Sequence, residues 1–212
     1  MKAGNMANLN SLSKANLIKM IEDLKIENTV LKEMHEVMLA TNRRLEKLER
    51  EQNLNFQYQR RDTIEISGIP PTVKQEDLEG EIVKIYEAAG VEVDGKKLKV
   101  SKIQACHRIG KKNVTICKFV SRKWAYQGVV SGKNLKDKAI YGQMSNVYIN
   151  TSFCNEFRYL NYVIRKAKAS GKIFRWKIKN GVNYVKVAED DEFCEVSHKN
   201  DLTELDITIE SE

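Results

Sequence analysis

RRDTIEISGIPPT, residues 60–72, is where the periodicity of this chain changes. Upstream, apolar residues recur every seven positions; within Thr63–Ile69 they recur every two, with Ile64 and Ile66 on one face. A period of two marks a half-buried strand, because successive strand side chains point to opposite faces. Pro70 and Pro71 end it, and Thr72 and Gln75 have the spacing of a capping box that opens a helix.

N-terminal to this switch, Lys14–Phe56 contains neither proline nor glycine. Leu17, Leu24, Leu31, Met38 and Leu45 hold the d-type positions of a heptad, and Ile21, Asn28, His35 and Asn42 hold the a-type positions. The spacing predicts a coiled coil over residues 14–59, behind a flexible segment at 1–13. The seam, with Leu17, Ile21, Leu24, Asn28, Leu31, Met38 and Leu45 as its contacts, joins copies of the chain. Polar residues at a-type positions fix register at a cost in stability. The pattern leaves both dimer and trimer open.

C-terminal to the switch, Leu78, Ile82, Ile85 and Ala89 form one helical stripe that stops at Gly90. Strands are predicted over Lys97–Ala105 and Asn113–Val120. Ser121 caps a helix over Arg122–Val130, which Ser131 and Gly132 end, and Val147–Asn150 is a short last strand. The order β-α-β-β-α-β over residues 60–150 is that of a ferredoxin-like sandwich, the architecture of RNA-recognition modules. The class is α+β.

Residues 151–206 read as a second, basic α+β domain. A helix from about Phe153 to Ser170 carries Phe157, Leu160, Val163, Ile164 and Ala167 on one stripe. On the other side Arg158, Asn161, Tyr162, Arg165, Lys168 and Lys172 align. Asn180-Gly181 signals a hairpin with a two-residue loop. That loop sets Lys179 opposite Val182, Lys177 opposite Tyr184 and Arg175 opposite Lys186. Phe174, Trp176 and Ile178 then pair with Val187, Val185 and Asn183 on the other, core-like face. Like charges opposite each other are unfavourable unless an anion neutralises them. A strand near Phe193–Val196 and a helical turn near Asp201–Leu205 complete the domain, ahead of an acidic tail at 207–212.

Charge follows the same divisions. Residues 99–188 hold 20 Lys and Arg against two acids, Asp137 and Glu156, whereas residues 189–212 hold one lysine against 10 acids. Surfaces kept merely soluble mix their signs, while concentrated positive potential attracts polyanions, nucleic acid above all. Nucleic-acid contacts are expected from Arg108, Lys111, Lys112, Arg122 and Lys123 in the first domain. In the second they are expected from Arg158, Arg165, Lys168, Lys172, Arg175, Lys177, Lys179, Tyr184 and Lys186.

Other classes find no support in the sequence. No apolar run approaches the roughly 18 residues of a membrane span, and residues 1–16 lack the apolar core of a secretory signal. The expectation is a soluble cytoplasmic or nuclear protein with no membrane insertion. The four cysteines are 11, 37 and 40 residues apart, without C-x-x-C or histidine ligand spacing. They read as free thiols, with no metal and no cofactor. No P-loop, G-x-S-x-G or H-E-x-x-H occurs, and the basic half lacks the acids a metal-dependent nuclease needs. The chain reads as non-enzymatic.

A series of motifs carries a resemblance. The predicted coiled coil leads into Q-R-R-D-x-I-E-I-x-G-I-P (Gln59–Pro70). There follow H-R-I-G (His107–Gly110), V-x-I-x-K-F-V-S-R (Val114–Arg122), V-Y-I-N (Val147–Asn150) and R-W-K-I-K-N-G-x-x-Y-V (Arg175–Val185). In order and spacing, over about residues 14–206, the chain resembles the first-open-reading-frame proteins of LINE-type retrotransposons. It is also similar to the few-polyhedra proteins of baculoviruses. The resemblance implies an oligomer that binds single-stranded RNA or DNA and acts as a nucleic-acid chaperone beside reverse transcription. For the viral branch it implies a structural or trafficking role, and a basic surface of this kind can also meet acidic protein partners. One departure stands out: the strand TIEISGI has no aromatic residue, and Asn113–Val120 has only Phe119. Base stacking on that sheet is therefore not expected, and Tyr162 and Tyr184 are the alternative platforms.

Overall fold

The structure, a computed structural model, describes residues 14–110, 114–136, 138–141 and 146–207. It is mixed α+β, with a long N-terminal helix and antiparallel sheets. The segment 1–13, Lys111, Lys112, Asp137 and residues 208–212 of the acidic tail lie outside the described residues. The chain divides into two units, Met1–Glu49 and Arg50–Glu212.

The described part of the first unit is helical throughout and belongs to α1, Lys14–Gln59. Its heptad residues are uncovered: Leu24, Leu31, Met38 and Leu45 are each more than half exposed, as is Ile21, while Leu17 is half-buried. Asn28 is exposed among them. The Thr29 and Thr41 hydroxyls donate back to the carbonyls of Lys25 and Val37, at 2.9 and 2.8 Å. Both are thus satisfied within the helix.

The second unit begins inside α1, ten residues before the predicted boundary. Gln57, in the last turns of the helix, is 1% exposed. Its amide donates to the Ser152 carbonyl at 3.1 Å and accepts from the Cys154 N–H at 3.1 Å. Arg50 pairs with Asp201. The heptad pattern ends here because the helix has found intramolecular partners.

A four-stranded sheet follows, with strands β1 (Thr63–Ser67), β4 (Ile103–Ile109), β5 (Val114–Phe119) and β6 (Tyr148–Thr151) in the order β4-β5-β1-β6. All three pairings are antiparallel. Ile64, Ile66, Cys117, Phe119 and Ile149 face a core closed by α2 (Leu78–Ala89) and α3 (Arg122–Ser131). Phe119 is fully buried, 5.4 Å from the Tyr86 ring, and so is no stacking platform. The two helices meet closely at Gly128, where an added Cβ would lie 2.1 Å from the Tyr86 hydroxyl.

Two local expectations are corrected. The helix α2 starts at Leu78 after a 3-10 turn at Gln75–Asp77, and no side-chain cap forms at Lys74 or Asp77. Gln75 instead donates to the Cys106 carbonyl at 2.7 Å, across to β4. The strand expected from Lys97 begins at Ile103, behind a 3-10 turn at Val100–Lys102. Ahead of that turn, Asp94-Gly95 joins a small hairpin of β2 (Glu92–Val93) and β3 (Lys96–Lys97), a turn signal the sequence reading passed over. Both turn residues have positive φ, 52° and 69°, as a hairpin loop of that kind requires.

The C-terminal part is a helix on a sheet. Leu160, Val163, Ile164 and Ala167 of α4 (Asn155–Ala169) pack with Val185 and Val196 of the three-stranded sheet β7 (Arg175–Lys179), β8 (Val182–Lys186) and β9 (Cys194–Val196). The β7–β8 register is the predicted one at all five pairs. The short helix α5 (Lys199–Glu204) contributes Leu202 to this core. Ile207, expected in the tail, is 2% exposed in the same core, and its N–H donates to Leu202 at 2.8 Å.

Candidate nucleic-acid interface

Strand alternation places Arg175, Lys177 and Lys179 of β7, with Tyr184 and Lys186 of β8, on the face opposite Val185. The three β7 cations are exposed, and Tyr184 and Lys186 are half-buried. The acid-poor stretch thus displays its hairpin charges on one surface. Segment 187–196 modifies that surface. Glu195 stands opposite Tyr184 on β9 and accepts its hydroxyl at 3.0 Å. Burial, then the Glu195 carboxylate, raises the Tyr184 phenol above its usual range. Phe193 lies 3.6 Å beneath the Lys177 ammonium.

The polar side of α4 gathers Arg158, Asn161, Tyr162 and Arg165 around a shallow hollow of about 750 Å³. The apolar side of α4 packs on the Val185 face of the sheet, where Asn161 donates to the Asn183 side chain at 3.1 Å. Arg158, Tyr162 and Arg165 therefore lie on the other side of the sheet from the hairpin cations. The two sets do not line one groove. Lys168 bridges the layers, donating to the Phe174 carbonyl at 2.5 Å. Lys172 lies beyond the helix end at Ala169, exposed. Arg158 is held at 2.6 Å by Glu65, whose carboxylate also accepts from Ser152.

The first-domain cations divide further. Arg108 donates to three backbone carbonyls, those of Ile69, Pro70 and Val73, at 3.3, 2.7 and 3.1 Å. It clamps the β1–α2 connection. Lys123 pairs with Asp94 at 2.9 Å, and Arg122 is exposed at the start of α3.

A cleft of about 1030 Å³ opens between the last turns of α1, the outer face of the four-stranded sheet and the start of α4. Phe56, Arg60, His107, Ile116 and Lys118 line it, with Asn155 and Glu156 at the α4 side. Phe56 is 48% exposed. Sequence reasoning passed over these residues, although a signal existed. Ala105 and His107, like Ile116 and Lys118, occupy the strand phase opposite the core. No amphipathic pattern could join them to Phe56, which sits where the heptad fades.

Among the described residues, no helix is long and apolar enough to cross a membrane, and no cluster of three or more His, Cys, Asp or Glu could hold a metal ion. Compared with known proteins, the sequence matches no family model, and no curated protein matches it significantly.

Proposed function

We propose that this chain is a self-associating protein that binds single-stranded nucleic acid without strong sequence preference, as the retroelement resemblance implies. The observation that carries the reading is the cleft, where an exposed aromatic ring, Phe56, stands among Arg60, His107 and Lys118, with a single acid, Glu156, at the α4 side. An aromatic platform inside a cationic groove suits single strands, because every base has a face to stack and every nucleotide a phosphate to grip. The basic hairpin face supplies a second, electrostatic surface.

The strand order β4-β5-β1-β6, with two helices on one face, supports a ferredoxin-like reading of the middle domain. Unlike an ordinary RNA-recognition module, the sheet's outer face is aromatic-poor and carries the Glu65–Arg158 pair. In the cleft over this face, the Phe56 ring from α1 takes over the stacking role. Self-association through the exposed heptad multiplies modest single-site affinity by effective concentration. The test is fluorescence anisotropy with single-stranded RNA, single-stranded DNA, duplex and polyglutamate across a salt series. Single strands should bind tightest, and Phe56→Ala should weaken them by about 1–3 kcal/mol. Equal or tighter binding of polyglutamate would favour an acidic protein partner instead.

A further inference from the structure

Four thiols are free in the described residues, and two of them face each other. Cys106 on β4 and Cys117 on β5 are directly opposite in the antiparallel register. The register slips at Gln104, since Ile103 pairs with Phe119 but Ala105 pairs with Lys118. Were Gln104 instead paired with Lys118, with no slip, Ala105 would stand opposite Cys117 and Cys106 would point to the cleft side. The bulge turns Cys106 inward, where it packs against the core beside the buried Cys117.

Opposite Cα atoms of an antiparallel pair lie roughly 4.5–5.5 Å apart. That lies within the span of about 4.4–6.8 Å that a disulfide accepts. The two sulfurs differ in character. A hydrogen bond with Cys117 holds the Cys106 thiol below its usual range, with help from the nearby Arg108 charge and against the effect of burial. Cys117, the hydrogen-bonding partner, is held well above its usual range by that bond and by burial. Cys106 is also the half-buried member, the one a small oxidant reaches. A nucleophilic thiol beside a protected resolving thiol is the arrangement peroxide chemistry uses.

We propose that Cys106 and Cys117 form a redox site at which a peroxide closes an intramolecular disulfide between β4 and β5. The Cys106 thiolate attacks the peroxide, the O–O bond breaks and a sulfenic acid forms as one water leaves. The Cys117 thiol then attacks that sulfur, the S–S bond forms and the second oxygen leaves as water. Two thiols are oxidised and one peroxide is reduced. Because β4 is the edge strand and carries Ala105 and His107, the bond would tie one wall of the cleft to β5. This assignment is independent of what the cleft binds.

The experiment uses the full chain, folded and reduced, treated with hydrogen peroxide, capped with N-ethylmaleimide and digested with trypsin. The expected product joins the peptides Ile103–Arg108 and Asn113–Lys118, lacks two hydrogens relative to their sum, and separates on reduction. Cys106→Ser should abolish it. Recovery of Cys106 and Cys117 both capped while Cys194 is oxidised would overturn the proposal. So would oxidation of Cys106 to sulfinic acid, or a cross-link from Cys106 to Cys194. These readouts need only the unaltered protein, so they stand even if the serine variant misfolds.

Discussion

At the scale of single residues, the positive charges of this protein serve two different purposes. Arg108 is spent on three carbonyls of one connection, whereas Arg165 projects into solvent from α4. Removing a charged donor leaves half-buried acceptors unsatisfied, at about 1–3 kcal/mol. Arg108→Ala should therefore lower the urea midpoint clearly, while Arg165→Ala should leave it in place. Equal midpoints would show that the clamp contributes nothing. Gln57 makes the same point for an uncharged side chain. Gln57→Leu keeps the bulk but deserts the Ser152 carbonyl and the Cys154 N–H. It should cost about 1–3 kcal/mol by the same reasoning, again read from denaturant unfolding.

At the scale of elements, the hairpin was the most legible part of the chain and the cleft the least. Asn180-Gly181 permits one loop geometry, so every β7–β8 pair followed from arithmetic. The cleft draws on residues 53–63, 105–107, 116–118 and 154–156, which only the tertiary fold brings together. The bulge at Gln104 was invisible because alternation alone cannot announce a skipped partner. Towards the C-terminus, the acidic, aperiodic stretch around Ile207 hides one core residue, so the sequence pattern places it in the tail. Ending the chain after Glu204 should therefore lose about 2–5 kcal/mol, as for a deleted core isoleucine. Ending it after Ile207 should preserve stability, and thermal unfolding distinguishes the two. On the hairpin itself, changing Arg175 and Lys177 together to Ala should weaken binding of all single strands alike. The salt slope should fall by roughly 0.7 per lost phosphate contact. An unchanged slope would mean that the hairpin face meets no phosphate.

At the scale of the whole molecule, the division at Arg50 decides how the chain can be dissected. A chain of residues 50–212 keeps Arg50 and Gln57 with their partners and should be a folded monomer by light scattering. A chain starting at residue 60 loses both anchors and the Phe56 wall of the cleft, and should be measurably less stable. A persistent oligomer of residues 50–212 would move the contact away from the heptad. The sheet order β7-β8-β9 has a further bearing on life in solution. Among the described residues it leaves β7 at an edge of the sheet, which a strand from another copy could extend. Every second residue of that edge is a cation, Arg175, Lys177 or Lys179. Two such edges meeting would bring like charges into neighbouring cross-strand positions. On the proposed reading, the same three side chains would both attract a polyanion and, when copies are crowded together, disfavour edge-to-edge growth into a fibril.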